Sequence, residues 1–491
     1  MADDRQREED AAQLKRMGYA QQLLRDMGGF SNFAVSFSII SILTGAVTLY
    51  GQGLLNGGPL VMGLGWPLVS VMTLLVACGL AELASAYPTA GALYHWSSIL
   101  GGRGWGFFTA WLNTLGQFSI TAGIDYGLSQ FLAPMFGWEA DRAHVLPIYA
   151  AVLVSHAVLN HVGVKVVARL NDFSAWYHLV GVALLVGALA FLAPHQDAGF
   201  LFQRFVADPE QGPYWGVFLL GLLQAQWTFT GYDASAHVTE ETLDPRRNAP
   251  WGIVLSVAVS AVAGYAMLAA VTLAIQDLPA TTAASNPFIH ILTHSLGGRL
   301  GSALVWMVIG AMWFCGLSSV TSNSRMLFAF ARDGGLPFSS AVCRVSPRFR
   351  SPHVAVWVSA GAAGLVAVWS SAYDAIVALS TITLYASYAL PIAAGLRARR
   401  TGKWTERGPW NLGRWSSPVN VAALIWVAAI SLNFIRPLKT VERWSFAGAL
   451  VALLGYWFLY MRQRFKGPPQ IAAAASVPSP SPAPAAVPPA G

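Results

Sequence analysis

An apolar run from Tyr214 to Val238 is long enough to cross a bilayer, but Gly231, Asp233 and His237 interrupt it. A membrane span needs about 20 mostly apolar residues. An ionisable group at that depth is costly and must face protein or water rather than lipid. Unwound backbone there must line a cavity or be buried in protein. The pattern predicts a helix broken within Trp227-Thr228-Phe229-Thr230-Gly231-Tyr232-Asp233. Its first half should end near Thr230-Gly231, with free carbonyls at a partly negative end. Its second half should restart near Asp233, where a carboxylate can cap free N–H groups. A kinked helix with a capping Asp is the plainer reading of the same residues.

The rest of the chain is built for the same solvent. Its residues are 55% hydrophobic and only 11% charged, against about 25% charged in soluble domains. This composition specifies an all-α integral membrane protein. Twelve spans are expected, near 32–55, 66–86, 106–135, 145–163, 173–193, 214–238, 250–275, 301–330, 353–371, 374–396, 418–435 and 445–462. With the N-terminus inside, 23 Lys and Arg fall in inside segments and 6 in outside ones. That bias predicts a multi-pass protein of the cell membrane with both termini cytoplasmic. The net charge of +7 is spread over short loops, so nucleic acid is not an expected partner; the lipid bilayer is. Cys78, Cys315 and Cys343 have no paired spacing, which argues against disulfides and a cysteine metal site. Walker, His-Glu-x-x-His, Gly-x-Ser-x-Gly and nucleotide fingerprints are absent from the sequence, so the expectation is not an enzyme, with no catalytic residue and no metal. His156 and His161 are five apart, poor spacing for one helical face. Residues 1–28 read as a charged cytoplasmic leader without a signal peptide's apolar core. Residues 467–491 are Ala/Pro/Ser-rich and read as a disordered tail.

The first span has its own interruption, Ser38-Ile39-Ile40-Ser41-Ile42-Leu43-Thr44-Gly45. It lies at a depth matching the break in the sixth span. Matched interruptions in two halves point to a transporter's central site. The domain 29–466 then divides into repeats of five spans, about 29–193 and 214–396, with extra helices over 418–462. An odd number of spans per repeat makes the second copy inverted. N–H groups near Thr44-Gly45 would receive a substrate carboxylate. Carbonyls near Ser41 and Thr230 would receive an ammonium group. Gly45 and Gly231 would let the ligand approach the backbone. Close helix packing is the alternative use of such small residues.

Four motifs carry a resemblance to a known family: Gly29-Phe30-Ser31-Asn32-Phe33 with Ser36 to Gly45; Ala81-Glu82-Leu83 with Tyr87-Pro88-Thr89-Ala90-Gly91; Gly231 to His237 running on to Glu240-Glu241-Thr242; and Ser318 to Arg325 followed by Ala331-Arg332-Asp333-Gly334-Gly335-Leu336-Pro337. The chain resembles the amino acid–polyamine–organocation superfamily, and within it the branch of GABA and choline permeases and plant bidirectional amino acid permeases. The resemblance implies a leucine-transporter-like fold, a 5+5 inverted repeat with helices one and six broken. It implies that backbone around Ser41, Thr44, Gly45, Phe229 and Gly231 binds an amino-acid-like substrate. Asp233 stands where many members carry Glu. Some proton-coupled members carry a Lys near the position of His178, making that residue a proton carrier or a structural histidine.

The expected function is a secondary transporter moving amino acids or related amines such as GABA by alternating access. A choline-like organic cation permease and a non-transporting amino-acid sensor are the alternatives. Expected substrate contacts are Ser41, Thr44, Gly45, Trp227, Phe229, Thr230, Gly231 and Asp233. Trp227 is placed as an occluding or cation–π face. Coupling and gating candidates are His178, Glu82, Ser318, Ser319, Thr321, Ser322, Asn113 and Gln117. The hydroxyls among them could serve a sodium ion between spans one and eight; a proton is the other coupling ion. Arg325 is expected to pair with Glu82, Asp233 or Glu240. Asp125 is expected near the outer interface.

Overall fold

Apolar runs bounded by Gly, Pro and charge become helices here, and no strand forms among the described residues. The computed structural model describes residues 2–369 and 373–469. The tail from 470 and the last predicted turn of the ninth span, from 370, lie outside them. In the leader is α1 (Ala2–Arg16), and through the first span run α2 (Gly29–Ile40), α3 (Gly45–Thr48) and α4 (Tyr50–Gly57). Next come α5 (Trp66–Ala86), the short α6 (Leu93–Gly101), α7 (Arg103–Met135), α8 (Arg142–Val162) and α9 (Val164–Leu192). The sixth predicted span is in pieces: α10 (Tyr214–Gly221), α11 (Leu223–Thr228) and α12 (Ala234–His237). They are followed by α13 (Pro245–Leu273), the short α14 (Leu278–Ala283) and α15 (Pro287–Leu296), and α16 (Gly298–Arg332). Finally come α17 (Ser339–Val342), α18 (His353–Trp369), α19 (Tyr373–Arg400), α20 (Ser416–Ile435) and α21 (Thr440–Tyr456).

Helix starts at the bundle's ends carry the signals water demands. Asp141 accepts from His144 N–H, Asp277 from Ala280 and Asn286 from Ile289, while Pro245 opens α13. Each such cap is worth about 1 kcal/mol.

Nine helices among the described residues are long and apolar enough to cross a membrane. The remaining predicted spans fall short for physical reasons. The 33-residue α7 is diluted by Asn113, Gln117 and Asp125, all buried inward. The sixth is broken, and α18 is a shorter apolar helix. The second span begins earlier than expected, because a wide turn at Val61–Gly65 runs straight into α5. Large apolar side chains such as Phe191, Val262, Leu365, Leu432 and Leu459 stand outward, as lipid contact requires. The interior packs α7 against α19 and α16, α5 against α13 and α20, and α2 against α9, α13 and α16.

The leader folds onto one end of the bundle. Met27 bridges Thr242 in parallel, and the Asp26 and Met27 N–H groups donate to the Glu241 carbonyl.

Candidate functional site

Both predicted breaks are present, and they lie side by side. α2 ends at Ser41, which adopts a left-handed conformation (φ 31°). α11 ends at Phe229, and Gly231 (φ 86°) turns the chain before α12. The two helices run past each other in opposite senses, so α2 meets α12 and α3 meets α11. Polar bonds hold the first contact. Ser36 Oγ donates to the Tyr232 carbonyl (2.8 Å), Asn32 Nδ2 donates to the Ser235 carbonyl (2.8 Å), and Ser235 Oγ donates to the Asn32 carbonyl (3.0 Å). Buried interhelical bonds of this kind average about 0.6 kcal/mol in membranes. In the second contact Gln224 Nε2 donates to the Ala46 carbonyl (2.9 Å).

Glycine is required at both breaks by the packing of the helices themselves. A Cβ on Gly45 would lie 2.7–2.9 Å from Thr228, and one on Gly231 would overlap Ile39. Both glycines let one broken helix approach the other. The predicted free amides at Thr44 and Gly45 are occupied in this conformation: both donate to the Ser41 carbonyl (2.7 and 3.0 Å). The left-handed turn at Ser41 points that carbonyl back at them.

Asp233 does not cap α12. A capping residue stands outside helical geometry, but Asp233 is already helical (φ −68°, ψ −13°) and makes no cap bond. Its carboxylate instead gathers three polar side chains. Tyr388 Oη donates to Oδ1 (2.8 Å); Asn113 Nδ2 (3.2 Å) and His237 Nε2 (3.1 Å) meet Oδ2. Tyr388 Oη also accepts from the Gly231 N–H (3.2 Å), and Tyr385 Oη donates to the Phe229 carbonyl (2.6 Å). Two tyrosines of α19 thus clasp the break in the sixth span. Sequence reasoning missed both; their signal was Tyr385-Ala386-Ser387-Tyr388, two tyrosines three apart in mid-span.

The breaks enclose a small central cavity of about 10 Å³, walled by Ile39, Thr44, Gly45, Trp227, Thr230 and Cys315. That is room for about one water. Of the predicted contacts, Thr44, Gly45, Trp227 and Thr230 meet here. Ser41, Phe229, Gly231 and Asp233 line the breaks but not this cavity. Trp227 donates from Nε1 to Ser380 Oγ (3.0 Å) and meets Tyr373 edge to face. Tyr373 is also a wall of a larger vestibule of about 400 Å³, shared with Thr48, Gln52, Gln130 and Asp374, at the end opposite the leader.

The other candidates separate. His178 is fully buried beside the first break: Ser41 Oγ lies 2.6 Å from its Nε2, and the Ser174 carbonyl 2.8 Å from its Nδ1. Asn113 reaches Asp233, whereas Gln117 bonds Ser322. The four hydroxyls of α16 do not converge: Ser318 donates to Asn171, Ser319 meets Thr121, Thr321 donates to Asn160, and Ser322 accepts from Gln117. They serve α9, α7 and α8 rather than α2. Glu82 pairs with Arg399 (2.6 Å) and accepts from Ser416 Oγ (2.6 Å), tying α5 to α19 and α20. Arg325 pairs with Glu241 (3.1 Å) and none of the three expected partners. Asp125 is fully buried against His156, not interfacial, because α7 lies inside the bundle and α8 and α16 cover that side.

Ion pairs close the leader end. Arg332 bonds Glu240 through both terminal nitrogens (2.9 and 2.8 Å) and lies 3.9 Å over the Tyr19 ring. Arg25 donates to the Thr239 and Thr242 carbonyls. Tyr19 Oη donates to Asp333 (2.7 Å), which also meets His95. Burial works to raise the Glu240 carboxyl, but the Arg332 guanidinium outweighs it and holds the group below its ordinary 4.5. Burial wins at Glu241, which is raised despite Arg325. At Asp333 burial is overcome by His95 and then Arg332, and the carboxyl is lowered.

A family model described as amino acid permease matches residues 28–459. The amino-acid permease BAT1 homolog of Oryza sativa subsp. japonica is 37% identical, covering 93% of this chain and 95% of its own length. Amino-acid permease BAT1 of Arabidopsis thaliana is 36% identical with the same coverage. A GABA-specific permease of Saccharomyces cerevisiae is 28% identical over 83% of this chain and 74% of its own.

Proposed function

This chain belongs to the amino acid permease family, and on that premise we propose that it is a secondary transporter of amino acids or related amines such as GABA, working by alternating access. The observation that carries the reading is the pair of interrupted helices, which abut in opposite senses around Thr44, Gly45, Trp227 and Thr230. That arrangement is what two inverted repeats, 29–193 and 214–396, would produce in a twelve-span bundle with extra helices over 418–462. The leader end is cytoplasmic, as the Lys and Arg bias favours. Ion pairs close that end, while the vestibule beside Tyr373 opens the other. Substrate enters by the vestibule, and Trp227 and Tyr373 part to admit it. The cavity then widens as the halves of the broken helices separate. Once Ser41 releases the Thr44 and Gly45 amides, they receive a carboxylate; the Phe229 carbonyl and Asp233 favour an amine.

A proton or a sodium ion supplies the drive. His178 is the coupling candidate at the break, because it holds Ser41 directly. A GABA-specific relative supports including amines whose charges are further apart than in an α-amino acid. The test is competition uptake in proteoliposomes with amino acids, GABA, polyamines and choline, with and without sodium or a pH gradient. Saturable uptake of an amino acid or GABA is the expected result. Uptake of choline alone would favour the organic-cation reading, and no uptake under any gradient would overturn transport.

A further inference from the structure

We propose that Asp125 and His156 form a proton-binding site, apart from the two helix breaks, through which proton movement is coupled to the packing of α16 against α2. The proposal rests on the transport reading for its purpose, not for its geometry.

Asp125 of α7 and His156 of α8 are both fully buried, with His156 Nδ1 3.1 Å from Asp125 Oδ2. The remaining polar atom of each, Asp125 Oδ1 and His156 Nε2, has no hydrogen-bond partner among the described residues. Buried polar atoms are rarely left unpaired, and those that are call for a reason. Here the two open atoms are the ones that can take a proton. With Nδ1–H donating to the carboxylate, the pair carries one net negative charge. A proton arriving at Nε2 or Oδ1 forms one N–H or O–H bond and brings the net charge to zero. No electrons move, and the proton comes from water on one side and returns to water on the other. A fully buried net charge is costly, so the two states differ in how they sit against their neighbours.

The neighbour that senses the difference is α16. A Cβ on Gly316 would overlap Asp125 Oδ1, so only glycine admits the pair against this backbone. The adjacent residue, Cys315, donates its thiol to the Ile39 carbonyl (3.2 Å), at the end of α2. One residue of α16 therefore separates the proton site from the first break and from the wall of the central cavity.

Polar side chains lead away from the pair in both directions. Toward the leader end, Asn160 Nδ2 donates to the His156 carbonyl (3.0 Å), and its Oδ1 accepts from Thr321 (2.8 Å) and from Arg325 (3.4 Å). Arg325 in turn reaches Glu241. Toward the vestibule, the Tyr149 hydroxyl has no hydrogen-bond partner among the described residues and lies near enough to Asp125 to feel its charge. The Tyr149, Tyr126 and Tyr373 rings then follow at 6.2 and 6.1 Å. The titratable groups facing the pair are Tyr149 from α8 and Cys315 from α16. α18 and α19 face this side with apolar Val356, Ala360, Ala363 and Ile376. His178 of α9 is engaged with Ser41 and Ser174 instead.

The experiment uses full-length protein, with melting curves to confirm that each variant folds. Asp125→Asn and His156→Gln keep shape and remove titration. In proteoliposomes each should lose at least tenfold in pH-gradient-driven accumulation, while exchange at equal pH stays within about twofold of wild type. Undiminished gradient-driven accumulation in both variants overturns the proposal. pH-difference infrared spectra of solubilised protein give a readout that needs no transport. The carboxyl or imidazole bands that change with pH in wild type should be reduced in Asp125→Asn and in His156→Gln. Spectra identical to wild type in whichever variant folds overturn the proton site even if uptake is observed. A wild type that transports nothing, but whose bands are lost in the variants, overturns only the transport reading.

Discussion

Removing one oxygen, in Tyr388→Phe, tests whether the tyrosine clasp holds the break in the sixth span. That hydroxyl donates to Asp233 Oδ1 (2.8 Å) and accepts from the Gly231 N–H (3.2 Å). Phe fills almost the same volume, so the packing term is small. Two fully buried groups lose a partner, however. Stranding a buried polar group costs about 1–3 kcal/mol, and a bond to a charged group is worth about 1.5–3 kcal/mol. The two costs together come to about 2.5–6 kcal/mol; Asp233 keeps Asn113 and His237 on its other oxygen, which places the total in the lower part of that range, about 2.5–4 kcal/mol. Asp233→Asn can preserve all three contacts if the Tyr388 hydroxyl rotates to accept, so it should cost only about 1 kcal/mol. In the double variant the stranded group is no longer a charge. The two effects should then fall short of additive by about 1–2 kcal/mol. The assay is reversible unfolding in mixed detergent micelles for wild type, both single variants and the double. Costs that add to within about 0.5 kcal/mol, or a Tyr388→Phe variant as stable as wild type, would refute the clasp.

Gly231→Ala should destabilise by about 1–2 kcal/mol from its left-handed backbone and by about 1–3 kcal/mol more from overlap with Ile39; adding Ile39→Ala should recover only the second part, read by melting curves. Gly45→Leu should fail by unfolding at the Thr228 contact rather than by losing affinity in a well-folded protein, so a normal melting temperature with abolished binding would contradict the packing role. Arg332→Gln should cost about 3–5 kcal/mol at neutral pH by stranding Glu240. The pH profile carries its own sign. Because the Glu240 and Asp333 carboxyls are lowered in the folded protein, their contribution is present above their ordinary values, 4.5 and 3.8, and is lost as pH falls through the lower folded values. Glu241 is raised, so its burial costs stability above 4.5 and acidification relieves that cost. Without Arg332, Glu240 should join Glu241, and the variant should gain more stability than wild type as pH falls from neutral; equal profiles in urea or thermal melts would refute this.

The breaks at Ser41–Gly45 and Phe229–Asp233 were legible because glycine, small hydroxyl residues and a carboxylate in the middle of apolar runs conflict with a continuous span. Membrane class and the all-helical build were legible for a related reason: a bilayer admits few backbone solutions, so composition and run length nearly decide them. Partnership was not legible in the same way. Asp233 looked like a cap in one dimension, yet three polar side chains from α7, α12 and α19 make it the centre of a buried network. Arg325 had several carboxylates within reach along the chain, and only packing selected Glu241. Asp125 and His156 are 31 residues apart on different helices, a separation at which no periodicity links two side chains. Gly45 and Gly231 advertised close approach, but what approaches is Thr228 and Ile39. The sequence by itself determined that the chain is a helical membrane protein and where two of its helices must break, since those follow from each residue's own cost of burial. The tertiary structure alone decided which buried polar group answers which, because that depends on how helices distant in sequence are rotated against each other.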